Sequence, residues 1–239
     1  YVDKVNNSEV QLCKDNLKDK WIFTRKTNAK IEKRKFGDDF NVMYPIATLL
    51  NEAFILNKYE EQEQYILVNK YKVEKTILRE AVSPRSLRYG RKELLIFPYL
   101  YNKDNQLMRY DEMEFIKKFP EACKYLQSFI QKLNMRDKDE NARWFEFGRS
   151  QALNHLNQKK LLISTLVTDE VKVHKISQNQ VPYAGICIYS KGDLSLEVAK
   201  EILESDEFLK YVYDIGINAS GTTMRITAGD IKKFKYTLK

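Results

Sequence analysis

Pro120-Glu121-Ala122-Cys123-Lys124-Tyr125-Leu126-Gln127-Ser128-Phe129-Ile130-Gln131-Lys132-Leu133 decides the fold class. Ala122, Tyr125, Leu126, Phe129, Ile130 and Leu133 recur at helical spacing, which predicts an amphipathic helix over 120–133, and Pro120 stands where a first-turn proline gives up no hydrogen bond. Strand-like stretches flank it, at 42–56, 65–68 and 94–99 upstream and at 161–167, 171–176 and 184–189 downstream, rich in β-branched and aromatic residues and bounded by Pro or Gly. A second helical block is expected over 196–213, with Ala199, Ile202, Leu203, Phe208, Leu209 and Val212 as its apolar set and Gly216 just past its end. Thr227 and Asp230 have the spacing of a capping box and predict a short third helix. Strands gathered before and after one helical insertion do not alternate as in a doubly wound sheet. The expected fold is therefore α+β: a mixed, strand-rich domain with a helical insertion and a C-terminal helix.

The 239 residues are 43% hydrophobic and 31% charged, enough to bury roughly 70% of the unfolded surface in a core. The longest apolar run, 94–101, is far shorter than the ~20 residues of a membrane helix, so no membrane partner is expected. Cys13, Cys123 and Cys187 are odd in number and widely spaced, which fits a reduced, cytoplasmic protein rather than a disulfide framework or zinc site. His155 and His174 lack ligand-like neighbours. No Gly/Ser/Pro-rich linker divides the chain, and no repeat is visible. The domain reading is a charged lead-in at 1–40 and one domain at 41–239, cut from a longer protein.

A net charge of +8 is unevenly placed. Lys18–Lys35 holds eight basic residues against Asp19 and Glu32, residues 79–92 hold five against Glu80, and 225–239 hold five against Asp230. Such segregation gives a positive face suited to a polyanion.

Several chemistries are excluded or weakened. The eight glycines never fall two apart, so Gly-x-Gly and P-loop cradles are absent, and with them the familiar loops for dinucleotides or S-adenosylmethionine. Adjacent prolines are missing too, which removes the Asn-Pro-Pro-Tyr type of segment. Gly148-Arg149-Ser150-Gln151-Ala152 imitates a nucleophile elbow, but His174 follows too soon to complete a triad. Glu170-Val171-Lys172 imitates a nuclease E-x-K, although alternation along a half-buried strand gives the same pattern.

What remains is binding. Residues 79–92, Arg-Glu-Ala-Val-Ser-Pro-Arg-Ser-Leu-Arg-Tyr-Gly-Arg-Lys, mix guanidinium groups with turn formers ahead of an apolar strand, a form able to aim Arg forks at phosphates or guanine edges. Trp144-Phe145-Glu146-Phe147-Gly148-Arg149-Ser150-Gln151 adds aromatics, read mainly as packing, followed by polar groups harder to assign to a core. Ser220-Gly221-Thr222-Thr223-Met224-Arg225 is a polar loop running into the capped helix.

Residues 78–89 resemble a segment of target recognition domains in restriction–modification proteins, and 95–99 look like the strand after it. Residues 144–151 are similar to the Trp-Tyr-x-x-Gly-Arg segment of the TaqI-like C-terminal specificity domain of adenine-N6 DNA methyltransferases, 46–55 to its opening strand, 160–167 to a later strand and 219–234 to its closing loop and helix. Glu80 and Pro84 depart from the family pattern, where proline and glycine are usual. The resemblance implies a type II restriction–modification protein of the bacterial cytoplasm. Its N-terminal methyltransferase domain, outside this chain, would bind S-adenosylmethionine and flip an adenine; an endonuclease fused to it is also compatible. This chain would grip double-stranded DNA and read bases in the major groove, with no cofactor, metal or catalytic residue of its own. Lys18–Lys35, Lys232, Lys233 and Lys235 are then the candidates for phosphate contacts. Arg79, Arg85, Arg88, Arg149, Gln151, Thr222 and Arg225 are those for bases, with Tyr89, Arg91, Lys92, Ser150 and Thr223 beside them.

The competing readings are half of a type I specificity subunit, a basic protein-interaction module, and a metal nuclease using Glu170 and Lys172.

Overall fold

A computed structural model describes residues 33–238, together with the backbone of the strands Val2–Asp3, Ser8–Cys13 and Ile22–Arg25. The charged lead-in and the basic run at 18–32 otherwise lie outside the described residues. The fold is α+β, with several small sheets and short helices. The chain forms two units: a central one, Met43–Leu162 with His174–Cys187, and a terminal one, Tyr1–Val42 with Ile163–Val173 and Ile188–Lys239. No helix among the described residues is long and apolar enough to cross a membrane.

In the central unit, Leu78–Val82 pairs antiparallel with Glu93–Ile96, which pairs with Ile55–Leu56; on its other side Leu78–Val82 runs parallel to Val181–Pro182. A meander of Glu60–Glu61, Tyr65–Val68 and Tyr71–Glu74, a hairpin of Tyr99–Tyr101 and Leu107–Arg109, and the antiparallel pairing of His174–Ile176 with residues 160–162 also belong to this unit. The helices Glu112–Lys118, Pro120–Gln127 and Ile130–Met135 pack their apolar sides into the same core, where Phe115 and Phe145 stack at 4.0 Å. Glu74 receives the amides of Glu121 and Ala122 at 2.8 Å each, satisfying donors that the first turn leaves open.

The expected helix over 120–133 is two helices. Ser128 donates its hydroxyl to Tyr125 O at 2.6 Å, and the chain breaks before Ile130, because a serine that bonds the preceding turn competes with helix propagation. The apolar spacing continues across the break because both pieces face one core. The expected strand over 42–56 is also divided. Thr48 Oγ1 accepts from Leu50 N and donates to Asn51 Oδ1, turning the chain into the helix Asn51–Phe54. Pro98, which has no N–H to donate, separates Glu93–Ile96 from Tyr99–Tyr101. Ser164 interrupts 161–167 by accepting Leu166 N, and only His174–Ile176 of 171–176 is strand.

In the terminal unit, Arg34–Lys35 pairs with Lys235–Tyr236, and Phe36, Phe40, Phe208, Val212, Ile231 and Phe234 form an apolar core. The block at 196–213 is two helices, Leu196–Leu203 and Asp206–Ile215, because Ser205 accepts Phe208 N and restarts the chain as an N-cap. The Thr227–Asp230 capping box forms as the spacing predicts, opening the helix Ala228–Lys233.

Candidate nucleic-acid interface

Residues 83–92 make one capped turn of helix rather than an open loop. Ser83 accepts Ser86 N at 3.0 Å and Ser86 Oγ accepts Ser83 N at 2.8 Å; Pro84 occupies the first turn of the helix Pro84–Arg88. Gly90, at φ 60°, reverses the chain, a conformation natural to glycine, and Arg91 N closes the turn on Ser86 O at 2.9 Å. Beneath it, Tyr183 donates to Glu93 at 2.6 Å and its amide to Val82 O. The consequence is a fixed platform from which Arg85, Arg88, Tyr89, Arg91 and Lys92 all project into solvent. Tyr89 is 60% exposed, with the guanidinium carbons of Arg88 and Arg91 at 5.9 and 5.5 Å from its ring centre. Such pairing of cations with an aromatic face orients the forks without neutralising them.

The arginines divide into two groups. Arg34 binds Asp39, Arg109 and Arg143 bind Glu146, and Arg149 binds Asp137 at 2.7 Å and Asp139 at 3.4 Å. Arg136 donates to the carbonyls of Thr48, Leu133, Trp144 and Glu146. Arg79 is half-buried against Phe97, and burial pushes its pKa down. By contrast, Arg85, Arg88, Arg91 and Arg225 are exposed and make no hydrogen bond or ion pair among the described residues. Among the described residues, only these four arginines have forks open to a ligand.

The segment 144–151 is largely structural. Phe145 and Phe147 are buried, Trp144 Nε1 donates to Glu112 at 2.6 Å, and Phe147 N donates to the Tyr99 hydroxyl at 2.9 Å. Ser150 gives both its amide and its hydroxyl to Asp139 at 2.9 Å, holding that carboxyl below its usual pKa, with Arg149 assisting. A serine bonded to a carboxylate and not to an imidazole is no triad nucleophile. Gln151 is exposed.

In the terminal unit, Ile217–Ser220 and Thr223–Arg225 form a hairpin whose tip carries Thr222, with Thr223 and Arg225 on its second strand. Lys232 and Lys233 follow on the next helix. Strand pairing sets Lys35 opposite Lys235, and Gly37 packs so close to Lys232 that a Cβ there would lie 3.0 Å from Lys232 Cβ and O. Lys35, Lys232 and Lys235, far apart in sequence, thus meet in one basic cluster, a juxtaposition no local spacing announces. Leu166 and Ile217 flank Arg225 across the sheet, a placement that no local spacing announces either.

Glu170 and Lys172 are exposed while Val171 and Val173 are buried, the alternation of a half-buried extended segment. Among the described residues no group of three or more His, Cys, Asp or Glu is placed to hold a metal ion.

No family's sequence pattern matches the chain, and no curated protein matches it in sequence. Among solved structures it is similar to the type IIL restriction–modification enzyme MmeI, determined in complex with DNA, with a TM-score of 0.55 and 8% identity. The match covers 95% of this chain and 30% of that one, so the chain spans under a third of the enzyme's length. At this identity the likeness is one of fold: the chain folds like part of a restriction–modification enzyme, and the match does not single out the TaqI-like domain.

Proposed function

We propose that this chain is the DNA-recognition part of a restriction–modification protein and binds double-stranded DNA with sequence preference. The observation that carries the reading is the platform at 83–92, where Arg85, Arg88 and Arg91 stand exposed and uncommitted around Tyr89. A guanidinium fork matches the O6/N7 edge of guanine, and each good bidentate pair contributes about 1–3 kcal/mol of discrimination. The likeness in fold to an enzyme solved with DNA supports the same reading.

The finer proposal is that the parent is an adenine-N6 methyltransferase of the bacterial cytoplasm, with S-adenosylmethionine held in a catalytic domain N-terminal to this chain. The absence of Gly-x-Gly and of adjacent prolines from the sequence supports that division of labour.

Fluorescence anisotropy with a labelled random duplex, titrated with salt, tests the central claim. Log Kd should rise linearly with log[salt], as expected when several phosphates are neutralised. Tight binding that ignores salt, or no binding to duplex, overturns it and favours a protein partner. Calorimetry should detect no S-adenosylmethionine binding to this chain.

A further inference from the structure

The hairpin of Ile217–Ser220 and Thr223–Arg225 forms two strands of a three-stranded sheet, with Leu166–Val167 along its second strand, and stands on a rigid base. At that base, Ile226 is buried and donates its amide to Thr165 O at 2.9 Å, and Thr227 then caps the next helix. Gly216 lies tightly against the second strand: a Cβ there would fall 2.9 Å from Met224 Cβ and 2.5 Å from Val212 O. Beyond the base the second strand keeps a neighbour, with the Thr223 and Thr168 hydroxyls 3.0 Å apart, while the first strand is bare. Every residue of Ile217–Ser220 is exposed, and the tip turns at Gly221, φ 55°, with Asn218 Nδ2 donating to Gly221 O at 2.6 Å.

The register defines the outward face. Arg225 pairs with Leu166 on one side and Ile217 on the other, so the three side chains form a row, while Val167 and Met224 alternate onto the opposite face. Leu166 is 46% and Ile217 59% exposed, and the guanidinium between them makes no ion pair among the described residues. Nearer the tip stand Ser220, Thr222 and Thr223. Residues 217–226 contain no carboxylate; Asp169 and Glu170 lie beyond the end of the neighbouring strand.

We propose that this hairpin enters a groove of duplex DNA as a second reading element, independent of the platform at 83–92. Strands of a small sheet can read a DNA groove, and there Arg225 would face a guanine edge, Leu166 and Ile217 a thymine methyl, and the hydroxyls of Ser220 and Thr222 base edges or phosphates. The rigid base lowers the entropy lost on insertion. Each unit then contributes one reader, and the recognised sequence has two parts. The inference rests on the DNA-binding reading above.

The test is selection from a random duplex library with the full chain, followed by sequencing, for the wild type, Arg225→Ala, the hairpin-tip variant Asn218→Ala/Thr222→Ala, and Arg88→Ala. Thermal melting confirms that these surface variants fold. The hairpin variants should flatten preference by about tenfold at one set of base pairs, and Arg88→Ala at a different set. If the hairpin variants leave the profile unchanged, or weaken all sequences equally, the hairpin is not a reader. A surface that docks protein instead gives the first of these results, and mere phosphate contact the second. If the wild type selects no duplex, the DNA-binding reading itself falls, an outcome distinct from both.

Discussion

The guanidinium carbon of Arg79 lies 4.0 Å from the centre of the Phe97 ring and 5.3 Å from that of Tyr101. Its Nη1 is buried without a hydrogen-bond partner, and the Tyr101 hydroxyl is committed to Leu153 O at 2.6 Å. Two aromatic faces compensate a desolvated cation that no carboxylate reaches. Arg79 thus differs from the exposed arginines near it in sequence. Arg79→Met, which keeps the long apolar stem and removes the unpaired donor, should leave stability within about 1 kcal/mol of wild type. It should also preserve the selected DNA sequence, as urea melts and library selection will show; a changed sequence would make Arg79 a base reader.

Glu146 is 1% exposed and accepts from Arg109 Nε at 2.8 Å, Arg143 N at 2.7 Å and Arg143 Nη1 at 3.3 Å. Its carboxylate raises the pKa of Arg109. Removing one member of a buried pair strands the other charges, so Glu146→Gln should cost about 3 kcal/mol, the low end of the usual range because Arg109 remains 40% exposed. Equilibrium denaturation checks this; a loss below about 1 kcal/mol means that solvent already screens the cluster.

Lys160 is 1% exposed and donates to the carbonyls of Leu156, Gln158 and Ser177 at 2.8, 2.9 and 3.0 Å. The carbonyls favour the ammonium and burial opposes it; burial prevails and lowers the pKa from 10.5 to about 8. Between those values the unfolded chain holds a proton that the folded one has released. Stability at this group should therefore rise with pH above about 8, by at most about 1.4 kcal/mol per unit. Below pH 8 both states are protonated and the penalty is complete. Urea denaturation of wild type and Lys160→Met from pH 7.5 to 9.5 isolates the slope, which should be absent from the variant.

Leu49 holds φ 55°, a left-handed conformation costly for leucine, while Thr48 O accepts from both Gly148 N and Arg136 Nη1. A Cβ at position 148 would lie 2.6 Å from Leu49 Cγ and Cδ1 and 2.9 Å from its Cβ. Gly148→Ala should cost about 1–3 kcal/mol by overpacking, and Leu49→Gly should recover most of it by removing both the clash and the strained φ. A double-mutant cycle by thermal melting measures the coupling; additive effects would show that the contact is unimportant.

The parts legible in the sequence were those whose cause is local. Thr227 and Asp230 sit three apart and form their box, and Pro120 opens a helix. The basic composition and the turn-forming Ser83, Pro84 and Gly90 marked the platform, although its helical course needed the Ser83–Ser86 exchange. Residues 144–147 have strand-like composition yet form a turn, because Arg136 collects the carbonyls of Trp144 and Glu146 and pulls the aromatic rings inward. In the sequence Arg149 looks free because nothing in a periodic pattern ties it to Asp139 and Asp137, ten and twelve residues back. Pairings such as Lys35 with Lys235 depend on the whole chain and leave no local trace.

The parallel pairing of Ala81 with Val181 and Val82 with Pro182 imposes a timetable on synthesis. The platform leaves the ribosome about a hundred residues before the strand that supports it, an interval of roughly 5–20 s at common elongation rates. The Ser83–Ser86 exchange spans three residues and can close at once, as can the antiparallel pairing of Leu78–Val82 with Glu93–Ile96, but the sheet beneath the platform gains its parallel neighbour only when Val181 arrives. During that wait the nascent protein carries its exposed arginines on a sheet with one open edge, the edge of Leu78–Val82 that Val181–Pro182 later covers.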